Sequence, residues 1–215
     1  MSFLNQLKTQ AKALQQQKQA AVETLEELYA LTDRAAEFIR NYFEDLAQQL
    51  TVIEPPAPAF SLDGKTPWPA MKLADFRVDA RRKMLRDREV LDYISIGWRV
   101  LPQVGKPVLG VVTANFPTDM RRIEDRLAMG PVKHQRFEVR LPESSLLQEV
   151  RYEYETQTRG SVMARPDYER GTVHFRMLNT AGFDVIQATL PVARIGHDSM
   201  DELARCVVGQ QGVLV

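Results

Sequence analysis

The sequence predicts an α+β fold, in which a long amphipathic N-terminal helix precedes a mostly antiparallel sheet of about six to seven strands with two short helices. Three observations predict it. Residues 1–54 contain no glycine or proline and carry an apolar residue at every third or fourth position, interrupted only at Lys18 and Thr32, which is the period of an α-helix. Prolines cluster immediately after this segment. From residue 71 onward, apolar and polar residues alternate, which is the period of a β-strand.

The apolar stripe of the helix changes character along its length. Residues 1–22 carry one apolar residue per turn in a glutamine-rich background, with three lysines and no acid. Residues 23–54 carry eight acids and a broader apolar face. A narrow seam is typical of a coiled coil, whereas a broad face is typical of packing on a globular core. We therefore expect the later two thirds to pack on the chain's own domain or on a dimer mate, and the first third to project, a frayed terminus being the alternative.

The length of this helix predicts an interaction with another chain. At about 1.5 Å per residue it extends roughly 75 Å, more than one small domain can cover. The expected partner is a second copy of the chain, giving a homo-oligomer, or another helical protein. The predicted interaction residues are the large apolar members of the stripe: Leu4, Leu7, Leu14, Val22, Leu25, Tyr29, Ile39, Phe43 and Leu46.

A proline-rich linker is predicted at residues 55–70, which contain five of the twelve prolines. Proline lacks an amide donor and restricts the preceding residue, so the helix is expected to end near Ile53. Phe60, Leu62 and Trp68 indicate that the linker lies against a surface. The predicted organisation is thus a helix at 1–54, a linker at 55–70 and an α+β domain at 71–215.

Seven alternating or apolar runs predict the strands, and short connections between them predict antiparallel pairing. The fifth run is interpreted as one long strand kinked at Gly160, and 179–182 as a hairpin turn. Thr118 is predicted to cap one short helix, and Ser199 a second. The runs are 73–85, 90–101, 108–115, 133–141, 150–165, 172–178 and 183–192.

Composition limits the function classes. Lys and Arg number 28 and so do Asp and Glu, so no global basic field would attract nucleic acid or an anionic membrane. The single cysteine excludes an internal disulfide framework and favours a reducing compartment. No secretory signal and no transmembrane segment is recognisable. We therefore expect a soluble cytoplasmic protein.

No motif predicts a catalytic, cofactor or metal site. Gly64, Lys65 and Thr66 resemble the end of a phosphate-binding loop, but position 59, where that loop needs a glycine, is alanine. A linker turn is the simpler interpretation. The leading hypothesis is therefore a non-enzymatic interaction or self-assembly module that acts through its N-terminal helix and carries no cofactor.

Four residues define a first alternative, a small-ligand-binding protein or enzyme with a pocket on the concave face of the sheet. Tyr152 and Tyr154 share one face of a predicted strand, and His134 and His174 lie on polar strand faces. Tyrosines on a concave sheet can offer polar groups to a ligand. Ordinary sheet packing for the tyrosines and surface positions for the histidines are the competing interpretation.

A basic cluster defines a second alternative, nucleic-acid binding through phosphate contacts. Acids are interleaved with it and no aromatic platform accompanies it, and cations on an exposed strand also discourage edge-to-edge aggregation. The cluster consists of Arg81, Arg82, Lys83, Arg86 and Arg88.

Overall fold

The fold begins with one long helix and continues with two antiparallel sheets, which confirms the predicted α+β class. The computed structural model describes residues 3–141, 147–210 and 212, with side chains from Thr24 onward. The helices are α1 (Phe3–Ile53), α2 (Pro117–Met129) and α3 (His197–Val207), with a single 3₁₀ turn at Val192–Arg194. The strands are β1 (Met71–Leu85), β2 (Arg88–Pro102), β3 (Leu109–Ala114), β4 (His134–Arg140), β5 (Leu147–Glu155), β6 (Thr158–Asp167), β7 (Thr172–Leu178) and β8 (Val185–Pro191).

The strands form a five-stranded sheet in the order β1-β2-β6-β7-β8 and a three-stranded sheet in the order β3-β5-β4. All neighbouring strands are antiparallel. Alternate residues of the five-stranded sheet, such as Ile94, Ile96 and Val162, are fully buried. Because side chains alternate between the two faces of a strand, this sheet has one face on the hydrophobic core and one face toward solvent.

The fifth predicted strand is divided between the two sheets, and the predicted kink at Gly160 is wrong. The chain leaves β5 at Glu155 and enters β6 at Thr158, whereas the β2–β6 pairing continues without a shift through Gly160. At the bend, the Thr156 hydroxyl accepts a 3.0 Å hydrogen bond from the Val108 amide. This side-chain bond satisfies a backbone donor where the chain changes sheet.

The linker pairs with the start of β1. The Ala57 amide donates to the Met71 carbonyl at 2.8 Å, and the Leu73 amide donates to the Pro55 carbonyl at 2.9 Å. Phe60, Leu62 and Trp68 are buried in the same hydrophobic cluster as the inner faces of α1 and of the sheets. Helix, linker and sheets therefore contribute to one core.

Both short helices exist, but neither begins as the capping prediction proposed. Helix α2 has Phe116 at its N-cap position and proline in its first turn, so Thr118 lies inside the helix. Helix α3 begins after Gly196, and the Ser199 hydroxyl accepts a 3.1 Å hydrogen bond from the Gly196 amide. Proline therefore occupies the first turn of α2, and at α3 Ser199 bonds the N-cap backbone from inside the first turn instead of occupying the N-cap position itself.

Candidate functional site: helix α1 and its docking surface

The later part of α1 packs on the core face of the five-stranded sheet. Ile39 and Phe43 are fully buried, and Leu46 is half-buried against the same cluster. These predicted interaction residues therefore contact the chain's own core. Leu4, Leu7, Leu14 and Val22 lie outside the residues whose side chains the structure describes.

A second, smaller hydrophobic cluster holds α1 near residue 29. Tyr29 packs with Val90 and Tyr168, and Leu25 is half-buried against them. The Tyr29 and Tyr168 rings lie 6.2 Å apart between centroids. Burial and the nearby Asp33 carboxylate raise the pKa of the Tyr168 hydroxyl. Tyr29 and Leu25, two more of the predicted interaction residues, thus also pack against residues of the same chain.

The basic cluster occupies the tip of the β1–β2 hairpin, where it meets acids of α1. Arg82 forms an ion pair with Glu37 at 2.6 Å, and Arg88 forms one with Glu26 at 3.3 Å. Arg86 lies 5.7 Å from the centroid of the Tyr29 ring. These contacts give the acidic section of α1 a structural role, because it docks on the basic hairpin.

The other members of the basic cluster are also close to acids. Lys83 pairs with Asp92 at 2.8 Å, and Arg86 pairs with Glu169 at 3.3 Å. Arg81 lies directly across from Tyr93 in the β1–β2 register. Exposed pairs of this kind are each worth up to about 1 kcal/mol, so they contribute orientation more than stability. Four of the five cations that the sequence offers to phosphates are already engaged with carboxylates of the chain.

At its C-terminal half, α1 is held by α3. The Tyr42 hydroxyl donates a 2.6 Å hydrogen bond to Asp201, and the Phe38 ring meets the His197 ring edge-on at 5.0 Å. Burial and the Asp201 carboxylate raise the pKa of Tyr42 well above its ordinary value. Helix α1 is therefore fixed to the domain near residue 29 and again at residues 38–42.

Three of the four residues of the predicted ligand face lie in the three-stranded sheet, where His134 is the register partner of Tyr154, and His174 lies in the other sheet. Tyr152 is fully buried and donates a 2.8 Å hydrogen bond to Glu124, and Tyr154 is stacked on Trp68 with 5.7 Å between ring centroids. His134 lies in the three-stranded sheet, 2.8 Å from the Val132 carbonyl oxygen, and His174 lies in the five-stranded sheet, 3.1 Å from the Thr189 hydroxyl. The tyrosines occupy packing positions, and the histidines belong to different sheets.

Sequence reasoning missed Glu26 and Glu37 as the partners of the basic hairpin. The available signal was the concentration of acids in residues 23–54 and of cations in residues 81–88. The opposite charges of the two segments make them compatible partners. Their proximity, however, depends on the fold and cannot be predicted from the charges alone.

No helix in the part of the chain that the structure describes has both the length and the apolar character needed to cross a membrane. No three His, Cys, Asp or Glu side chains among residues 24–141, 147–210 and 212 converge as metal ligands.

Comparison with known proteins finds no family model, curated protein or solved structure that matches this chain.

Proposed function

We propose that this protein is a non-enzymatic self-assembly module, in which α1 of one chain pairs antiparallel with α1 of a second copy. Helix α1 continues without a break from Phe3 to Ile53, roughly 75 Å at about 1.5 Å per residue, which is more than one small domain can cover. The first third of its sequence carries a narrow apolar stripe, which is typical of a coiled-coil seam. The length of the helix, together with this stripe, is the observation that carries the proposal.

The charges of the helix favour a second copy in antiparallel orientation. Residues 1–22 contain three lysines and no acid, and the next section begins with Glu23, Glu26 and Glu27. Parallel pairing would set the lysines of the two chains side by side, and like charges at neighbouring positions destabilise a pair of helices. Antiparallel pairing sets the basic third of each chain beside the acidic section of the other.

An exposed apolar residue fits the same arrangement. Leu31 is 46% exposed, whereas Tyr29 and Thr32 beside it on the same helix are buried. A pairing that sets Leu14 of one chain opposite Leu31 of the other also sets Lys18 opposite Glu27. Both apolar burial and charge then favour this register. A cytoplasmic location belongs to the proposal and is supported by the single cysteine.

Native mass spectrometry of the full-length chain tests the proposal. The wild type should appear at twice the monomer mass of 24.5 kDa. Leu14→Asp should give the monomer with an unchanged melting temperature of the domain, because the proposal assigns position 14 to the helix pair between chains. Gln16→Asp is the matched control, since it adds the same charge on the polar side of the helix and should leave the dimer intact.

A charge exchange tests the orientation. Lys18→Glu should weaken the dimer, and adding Glu27→Lys to the same chain should restore it. A wild type that stays monomeric at tens of micromolar contradicts self-assembly. A dimer that Leu14→Asp leaves unchanged contradicts the role of the stripe.

A further inference from the structure

The five-stranded sheet carries a cleft of about 800 Å³ at its bend toward the smaller sheet. The cleft is lined from β1, β2 and β6 and by the segment that follows α2. Its volume is in the range of small-molecule sites, which enclose roughly 300–1,000 Å³. Its exposed side chains lie on the side of the sheet away from the hydrophobic core.

Strand register builds the floor of this cleft. Arg77, Gly97 and Ser161 form one row across β1, β2 and β6. Gly97 offers no side chain, and the nearest atom to a Cβ built there is the Gly160 carbonyl oxygen at 3.7 Å. The row is therefore open above Gly97, between a guanidinium on one side and a hydroxyl on the other.

The adjoining row contains two arginines in direct opposition. Arg99 on β2 is the register partner of Arg159 on β6, and both are exposed. Like charges placed directly opposite each other on antiparallel strands are destabilising. A pair of this kind is stabilised when an anion lies between the two groups.

A bulge in β1 orients one of these arginines. The register shifts between Ala74 and Arg77, and Asp75 takes a positive φ of 55°. Its carboxylate accepts a 3.1 Å hydrogen bond from Arg99, which also donates to Gln157 at 3.2 Å. A positive φ at a residue other than glycine costs of order 1 kcal/mol and is found in excess at functional sites. Here it places the carboxylate that fixes the guanidinium of Arg99.

The cleft has an excess of positive charge. Four cations line it against the single carboxylate of Asp75. Lys133 pairs with Glu155 at 2.6 Å. Among the described residues, the guanidinium groups of Arg77 and Arg159 form no hydrogen bond or ion pair. The cleft thus combines two unpaired guanidinium groups with a preoriented arginine.

We propose that this cleft binds a small molecule carrying a phosphate or diphosphate group, with Arg77, Arg99 and Arg159 as its ligands and Gly97 as its floor. The planar fork of arginine matches two phosphate oxygens at once. The bound anion relieves the opposition of Arg99 and Arg159. A single strand of nucleic acid fits less well, because it needs exposed aromatic rings for stacking, and Trp98 in the cleft wall is only 3% exposed.

Titration calorimetry of the full-length protein with pyrophosphate and with ADP, at about 0.15 M salt, tests the inference. Saturable binding of either probe is expected, with a rise in melting temperature. Arg77→Gln and Arg159→Gln should each weaken binding at least tenfold. Gly97→Val should abolish it by filling the floor, and melting curves of the free variants check that each is folded. Arg121→Gln is the matched control, since this arginine on α2 is 86% exposed and outside the cleft.

Several outcomes overturn the inference. One is a wild type that binds neither probe, and another is equal weakening in Arg121→Gln. Unchanged binding in a folded Gly97→Val variant excludes Gly97 as the floor of the binding site. If a single-stranded oligonucleotide binds and neither small probe does, the surface is assigned to nucleic acid. The outcome is independent of the proposed self-assembly, because the cleft belongs to the sheet and the monomeric Leu14→Asp variant retains it.

Discussion

Gly160 on β6 is the register partner of Trp98 on β2, and a Cβ at position 160 would stand 2.3 Å from the Cε2 atom of the indole. Real atoms do not approach so closely, so Gly160→Ala must displace the ring or the strand. Overpacking of this kind costs about 1–3 kcal/mol. We expect Gly160→Ala to lower the free energy of unfolding by this amount in urea denaturation.

Gly97 provides the control for this prediction, since it lies on β2 beside Trp98 and has open space on its own face. A Cβ there makes only an ordinary contact at 3.7 Å. Gly97→Ala should leave stability unchanged or raise it by about 0.4–1 kcal/mol, because alanine restricts the unfolded chain. Equal losses in the two variants would show that glycine serves backbone conformation at both positions rather than room for the indole.

Gly160 also illustrates what sequence patterns can and cannot predict. Glycine inside an alternating run of residues predicts a kink, which is the basis of the prediction for Gly160. The strand is regular there because the glycine accommodates Trp98, a residue about sixty positions away in sequence. The actual bend depends on the Thr156 hydroxyl and Val108. Both features are tertiary contacts, which periodicity does not encode.

The spacing of apolar residues along helices and strands, in contrast, follows from burial of one face of each element, so the elements themselves were predictable. Ile39, Phe43 and Leu50 of the predicted stripe are buried on the sheet. The arginines of the cleft fall on the polar faces of their predicted strands, so their exposure was also predictable. Their proximity was not, because it requires β6 to pair with β2 rather than only with its neighbours in sequence.

Phe43 anchors α1 on the sheet and is fully buried. Phe43→Ala should lower the free energy of unfolding by about 3–5 kcal/mol, through lost burial and the cavity that remains. Gln48→Ala on the exposed side of the same helix is the control and should change it by less than about 0.5 kcal/mol. A small loss in Phe43→Ala, measured by urea denaturation, would mean that the helix is not docked as described.

The β1–β2 hairpin contains an improvable turn. Arg86 and Asp87 connect the strands with φ values of 47° and 63°, which is the type I′ geometry that favours glycine in its second position. Asp87→Gly removes this strain and should raise the free energy of unfolding by about 0.5–1 kcal/mol. Thermal melting at equal protein concentration measures the change. Arg86→Gly is the contrasting variant, since it also removes the ion pair with Glu169 and should gain less.

Asp63 makes the linker sensitive to acid. Its carboxylate accepts hydrogen bonds from the amides of Lys65 and Thr66 at 2.8 and 2.7 Å, and from the hydroxyls of Thr66 and Ser61 at 2.8 and 3.0 Å. Burial acts to raise the pKa of Asp63, but these four bonds outweigh it and lower the pKa from 3.8 to about 2. The turn is joined to α2, because Arg126 donates to the Ser61 carbonyl at 2.9 Å.

A folded-state pKa below the unfolded value means that the ionised carboxylate stabilises the fold. The stabilisation is complete above about pH 4 and is lost as the pH falls toward about 2. Asp63→Asn should therefore be less stable than the wild type at pH 7, by about 1–2 kcal/mol given partial exposure. The two free energies of unfolding should converge as the pH falls to about 2.

Urea denaturation between pH 7 and pH 2 measures the free energy of unfolding of both proteins as a function of pH. Asp45→Asn, which removes an exposed carboxylate of α1, should run parallel to the wild type throughout. If Asp63→Asn also ran parallel, the carboxylate would not carry the acid sensitivity of the linker.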